Sequence, residues 1–309
     1  MEKNIVPIVF CFDEQLEMPA GVCITSLLAN ALPDTFYDIY ILHPGSCDFR
    51  TSRINDLPKI YGNCTITYRN MREAFSSAFQ IREITVSTYY RLLIPEAIPE
   101  YDKVIYSDVD VIFRDDLYQY YRLDLGNSYV GAVDVALALR EDIRKYVEDV
   151  LNLRASNGYY YAGNLIINCT KIRQDGLVSR FLELAKNNYY YQDMDVLNIA
   201  CNGNIKPLSP VFCLSNSLFP LIISKKKDML PLYPEDTPDK ILSKGIVHYN
   251  GKKPWQGWCF NMDIWWYYYR KSIFYTEDDC FNFYDDRINE INRWSLTKRL
   301  KHVLRYFHK

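Results

Sequence analysis

Glycine is scarce, at 12 of 309 residues, and neither GxGxxG nor GxxxxGK[ST] occurs. No glycine loop is there to cradle phosphates, so a bound nucleotide would have its charge met by a metal ion and side chains. A basic excess is also missing: 36 Lys and Arg face 38 Asp and Glu, for a net charge of -2. That balance argues against a nucleic-acid-binding surface. No apolar run is long enough to cross a bilayer. The nine cysteines include no CxxC pair, and scattered thiols of this kind fit a reducing cytosol. The start, MEKNIVPIVF, lacks the longer apolar region and cleavage site of a secretory signal and reads as a first core strand. The expectation is a cytoplasmic protein. With 49% hydrophobic and 24% charged residues, the composition is that of an ordinary globular chain long enough for one large α/β domain.

Strand-like and helix-like segments alternate through most of the sequence. The apolar run Ile5 to Phe12 stops at Asp13, and a helix opened by Pro19 follows. Further strands are expected at Tyr37 to Leu42, Cys64 to Tyr68, a stretch that ends at Asp108, Tyr129 to Val135 and Ala162 to Asn168. Helices are expected at Thr51 to Ile60, Thr88 to Ile94, Glu141 to Leu151 and Val178 to Asn187. This rhythm predicts a layered α/β domain with a mixed or parallel sheet, whose ligands bind outside the carboxyl ends of the strands. Asp13, Asp108, Asp110 and Asp134 all fall at such ends. After about Trp258 the alternation stops, which divides the chain into a domain over 1–258 and a helical aromatic and basic extension over 259–309.

Asp108-Val109-Asp110 lies between the apolar runs Val104-Ile105-Tyr106 and Val111-Ile112-Phe113. In an extended chain alternate side chains share a face, so the two carboxylates would repel unless a cation joined them, and hard oxygen ligands suit Mg²⁺ or Mn²⁺. A solvated turn is the plainer reading. His248, opening HYNGKKPW, could complete such a site or serve only structure; Gly251 permits close backbone approach and Lys253 supplies a fixed charge. The tyrosine clusters at 159–161 and 189–191 suit sugar stacking, though core filling explains most such residues. In the tail, Leu296, Leu300, Val303, Leu304 and Phe307 share a helical face, with Lys298, Arg299, Lys301, Arg305 and Lys309 around the rest. Either this helix lies on an anionic membrane surface through 293–309, or it docks on its own domain.

Taken together, IVFCFDEQ at 8–15, Ser26-Leu27-Leu28, TYYRLLIPEAIPEYDKVIYSDVDVIF at 88–113, AGNLIIN at 162–168, YQDMDVLN at 191–198 and HYNGKKPW at 248–255 resemble glycosyltransferase family 8. That family includes lipopolysaccharide α-galactosyltransferases and α-glucosyltransferases and, more distantly, glycogenin. The resemblance implies a GT-A type, Rossmann-like nucleotide-sugar-binding fold with a mixed central sheet. It also implies retaining transfer of glucose or galactose from UDP-glucose or UDP-galactose to a glycan or glycolipid acceptor, such as a lipopolysaccharide precursor at the inner membrane. By position Asp108, Asp110 and His248 would hold Mn²⁺ or Mg²⁺. Asp13 would meet the uracil edge, with Cys11 and Gln15 beside it and Val109 also lining the donor site. Arg91 would reach the sugar or phosphate, Gly251 and either Lys252 or Lys253 would close over the diphosphate, and Asp193 would sit at the reacting carbon.

Three positions depart from the family pattern. Leu16 stands where a tyrosine commonly stacks on uracil, and Tyr161 where an asparagine contacts the sugar. Met194 stands in the common QDQD run, where it can neither act as nucleophile nor donate to a sugar hydroxyl. Asp195 is expected to cap or solvate its helix, Asp134 to face the acceptor or end its strand, and Ser107 to be structural. Two other readings use the same features: a catalytically silent sugar-nucleotide-binding module, and a nucleotidyltransferase.

Overall fold

The structure is a computed structural model that describes residues 3–72, 74–75, 86–224, 228, 233 and 237–306. Phe307 and Lys309 of the tail pattern lie outside them.

Among the described residues ten strands fall into two sheets. The larger has the order β3-β2-β1-β4-β7-β6-β8, and the smaller β5-β10-β9. Their ranges are β1 Asn4–Cys11, β2 Thr35–His43, β3 Cys64–Asn70, β4 Lys103–Ser107, β5 Val111–Phe113, β6 Val130–Val133, β7 Asn164–Asn168, β8 Ile205–Leu208, β9 Leu214–Ser215 and β10 Ile246–His248. β3, β2, β1 and β4 run parallel. β7 is antiparallel to β4 and to β6, and β6 is parallel to β8, so the sheet is mixed.

β1 is apolar almost throughout because both its faces are covered: Val6, Ile8 and Phe10 join one core cluster and Val9 and Cys11 the other. β4 divides likewise, with Ile105 on one side and Val104 and Tyr106 on the other. Pro7 is tolerated inside this strand because β4 joins β1 only at Ile8 and Val9.

Helix Glu17–Ala29 is buried nearly all round. It is tied to the small sheet by the amide of Phe113, which donates to Ser26 Oγ at 3.0 Å. Expected helices become tighter or looser turns in three places. Arg53–Asp56 is 3₁₀ before a short helix Leu57–Tyr61. Val86–Leu93 is 3₁₀, and Glu141–Lys145 passes into a π-helical turn over Tyr146–Val150. Helix Met262–Lys271 buries Trp265, Trp266, Tyr268 and Tyr269 in the main core. Helices Glu277–Asn292 and Leu296–Tyr306 follow it and bury no residue fully.

The nine cysteines are unpaired, seven of them buried. Among the described residues no helix is long and apolar enough to cross a membrane.

Candidate active site

The acidic pair sits where the chain changes sheets. β4 ends at Ser107 and β5 begins at Val111, so Asp108 and Asp110 lie on a bend rather than in one extended strand as the alternation argument assumed. Backbone bonds fix that bend on both sides. The Asp108 amide donates to Gly163 O at 2.8 Å, and Asp110 O accepts from the Tyr249 amide at 2.9 Å. His248, the last residue of β10, pairs in register with Val111.

The result brings together three groups from distant parts of the sequence. A ligand atom from each of Asp108, Asp110 and His248 lies within 4.8 Å of the others. His248 Nε2 is 3.5 Å from Asp108 Oδ2 and 3.3 Å from Asp110 Oδ1. Two carboxylates at such a separation repel by roughly 4 kcal/mol at an effective dielectric of about 20, so the arrangement requires cations.

The chain supplies three. Lys253 Nζ contacts Asp110 and also donates to Tyr249 O at 3.0 Å. Arg91 lies 2.9 Å from Asp108 Oδ1 and 3.1 Å from Asp193 Oδ2. The third is His248 itself: burial disfavours the imidazolium, but the adjacent Asp110 carboxylate overcomes this and raises its pKa well above the ordinary value. Burial raises Asp110, and Lys253 and His248 outweigh it and hold this carboxyl far below the usual range.

The fit to a divalent ion is good on chemical grounds. Two half-buried carboxylates and an imidazole offer O, O and N donors, a set suited to Mn²⁺ or Mg²⁺. The second layer is equally ordered. Cys213 Sγ is 3.5 Å from His248 Nδ1, Asn164 Nδ2 donates to that sulfur at 3.4 Å, and Tyr106 OH donates to Asp108 Oδ1 at 2.5 Å. Partners of this kind orient metal ligands. Gly163 makes room for them: a Cβ there would stand 2.3 Å from His248 Cε1 and 2.7 Å from Asp108 Oδ2.

Arg91 is buried and spent on the protein's own groups. Nε donates to Thr88 O at 2.7 Å, Nη1 donates to Ala162 O at 2.6 Å, and the guanidinium covers the Tyr106 ring at 4.6 Å. It therefore joins Asp108 to Asp193. Asp193 opens helix Asp193–Ala200, and its carboxyl is 6% exposed. Burial pushes its pKa up to about 7; Arg91 opposes the shift and Asp108 adds to it.

Gln192, just before it, holds φ 50° and ψ -117°. A non-glycine residue in that region costs on the order of 1–3 kcal/mol, and such strain persists where its surroundings over-determine it.

The remaining candidates are placed as follows. Asp13 follows β1 at the same carboxyl edge and accepts from the Gln15 amide at 3.1 Å, leaving the Gln15 side chain exposed. Cys11 is buried, and burial raises its thiol pKa. Val109 is buried between the acids. Gly251, at φ 91°, turns the chain so that Lys253 folds back to Asp110 while Lys252 stays exposed. Asp134 is not drawn to the acidic pair, because its oxygens accept from the amides of Leu137 at 2.8 Å and Tyr159 at 2.9 Å. Leu16 and Met194 are half-buried against the core. Tyr161 directs its hydroxyl to Ser217 Oγ at 2.8 Å.

Asp195 neither caps its own helix alone nor meets solvent. It is fully buried and accepts from Tyr146 OH at 2.7 Å, from Tyr159 OH, and from the Tyr191 amide at 2.7 Å.

A mixed α/β sheet with an acidic pair at its carboxyl edge and a histidine brought in from a second small sheet defines a GT-A type nucleotide-sugar transferase fold. The chain belongs to glycosyl transferase family 8, whose model matches residues 7–259. The galactosyltransferase LgtC, solved with donor and acceptor sugar analogues, has a TM-score of 0.73 and 28% identity, with 88% of this chain and 98% of that one covered. A Haemophilus influenzae relative is 28% identical over 229 residues, 72% of this chain and 67% of the other. The lipopolysaccharide 1,2-glucosyltransferase of Escherichia coli is 24% identical over 170 residues, 54% of this chain and 48% of that enzyme. The match thus spans about half of that enzyme's length.

Proposed function

We propose that this protein transfers glucose or galactose from its UDP-sugar, with retention at the anomeric carbon, to a glycan or glycolipid acceptor of the lipopolysaccharide type. The observation that carries the reading is the convergence of Asp108, Asp110 and His248 beside Lys253 and the Arg91–Asp193 pair.

Asp108, Asp110 and His248 would hold the metal, Mn²⁺ or Mg²⁺. When bound, that ion would neutralise charge developing on the departing diphosphate. Lys253, relieved of Asp110, would donate to the same anion, and Asp13 would accept from the uracil edge. Asp193 supports positive charge at the anomeric carbon, as a carboxylate does in glycoside chemistry. Arg91 fixes that carboxylate by ion pairing instead of contacting substrate itself. Attack on the donor's leaving-group face lets the departing oxygen take the acceptor's proton, so no separate strong base is required.

The outermost helix supports a further part of the reading, a cytoplasmic protein held peripherally on a membrane. Helix Leu296–Tyr306 rests on the body through aromatic contacts: His302 with Trp258 and Trp294 at 4.3 and 4.7 Å between ring centroids, and Tyr306 with Phe260 at 5.2 Å. Its Leu296, Leu300, Val303 and Leu304 are 82%, 60%, 51% and 53% exposed. The apolar residues are not what docks the helix. Flanked by Lys298, Lys301 and Arg305, they suit an anionic lipid surface.

Incubation with UDP-glucose and UDP-galactose in Mn²⁺ tests the central reading. One donor should release UDP slowly without acceptor and chelation should stop it; binding of both donors without any turnover would overturn it.

A further inference from the structure

We infer that Asp195 is the positioning residue that holds the Gln192–Asp193 corner in its working geometry, through the tyrosines of the neighbouring π-turn and loop. The inference rests on the reading of Asp193 as the carboxylate at the reacting carbon.

The carboxylate of Asp195 has no exposed surface and three donors: Tyr146 OH, Tyr159 OH and the Tyr191 amide. Tyr146 OH in turn accepts from the Tyr190 amide at 3.3 Å. Two successive backbone amides are therefore pinned immediately before Gln192, one directly and one through a tyrosine. The Gln192 amide reaches Tyr189 O at 3.3 Å, and Gln192 O accepts from the Val196 amide at 3.0 Å. Between these ties Gln192 is held at positive φ, and the next residue presents its carboxyl to Arg91 Nε at 3.1 Å.

An ionised carboxylate meets all three donors without turning any tyrosine hydroxyl round. It accepts on both oxygens, whereas an amide of the same shape accepts on one and donates on the other. The tyrosines are matched to the task by their own restraint. Tyr159 is fully buried, and the Tyr146 ring is wedged against Tyr191 at 5.5 Å between centroids. The π-turn over Tyr146–Val150 is what carries Tyr146 to this place, and such turns often mark functional sites. With its oxygens occupied and its side chain sealed, Asp195 supports the site from behind and does not touch the sugar.

The test uses Tyr146→Phe, Tyr159→Phe and the double variant, each removing a donor while keeping the ring, together with Asp195→Asn. Crystal structures are read first, because they do not depend on turnover. In the double variant Gln192 should leave positive φ and Asp193 should separate from Arg91. With the active donor, kcat should fall about tenfold in each single variant and about 100-fold in the double variant and in Asp195→Asn. The donor KM and the Mn²⁺-dependent binding of UDP should stay within about twofold of wild type. A double variant with an unmoved Gln192 and wild-type kcat would overturn the inference, as would a parallel loss of UDP binding and kcat, or recovery of a glycosylated Asp195 peptide. A wild-type protein that turns over no UDP-sugar would instead sink the transferase reading, leaving the structural arm to decide this one.

Discussion

Gly163 illustrates how a residue without a side chain can decide the state of a site. The gap it leaves is filled by the His248 ring and an Asp108 oxygen, both packed to interior density, so an added methyl must displace one of them. Gly163→Ala should therefore weaken Mn²⁺ binding at least tenfold while the fold survives; a calorimetric Mn²⁺ titration equal to wild type would contradict this. Asp193 yields a second expectation. Its folded pKa, raised to about 7, exceeds the ordinary carboxylate value, so the folded protein binds its proton more tightly than the unfolded chain does. The associated stabilisation is present at low pH and is lost as pH rises from about 4 to about 7. On the proposed role of Asp193 activity would run the other way, since there the ionised form supports positive charge. The transfer rate should fall below about pH 7, and Asp193→Asn should flatten the metal-free melting temperature across that window. A rate unchanged down to pH 5 would refute the assignment.

At the scale of elements, much of the architecture was legible. Both-faced burial writes β1 and β4 as continuous apolar runs, and Asp13 and Asp108 mark their carboxyl ends. What stayed hidden depends on contacts between remote segments. The break between β4 and β5 comes from Gly163 and Tyr249, whose bonds to Asp108 and Asp110 leave no local trace. The same distance conceals Cys213 behind His248 and Tyr159 on Asp195, whereas Tyr106 lies beside the motif and alternation alone could have placed it near Asp108. The outer helix is a further case. Periodicity identified its apolar face, but not that His302 and Tyr306 do the docking and leave the leucines outside. Replacing Leu300 and Leu304 by Glu should lower binding to vesicles containing anionic lipid at least tenfold and leave UDP release intact. Equal co-sedimentation of variant and wild type would count against a lipid-facing helix.

For the molecule as a whole, the two-sheet arrangement explains why the site needs most of the chain. The link from β4 to β5 supplies both acids, β10 supplies the imidazole, and the turn after β10 returns Lys253. Lys253 and the imidazole neutralise the acids here, and on the proposed function a divalent ion would share that task, so metal and nucleotide should bind as a coupled pair. Calorimetric titration of UDP into the protein, with and without Mn²⁺, measures that coupling directly. UDP should bind at least tenfold tighter with Mn²⁺, and the enhancement should be lost in Asp110→Asn and His248→Ala. Equal affinity in the presence and absence of the metal, or an enhancement that survives both substitutions, would contradict this.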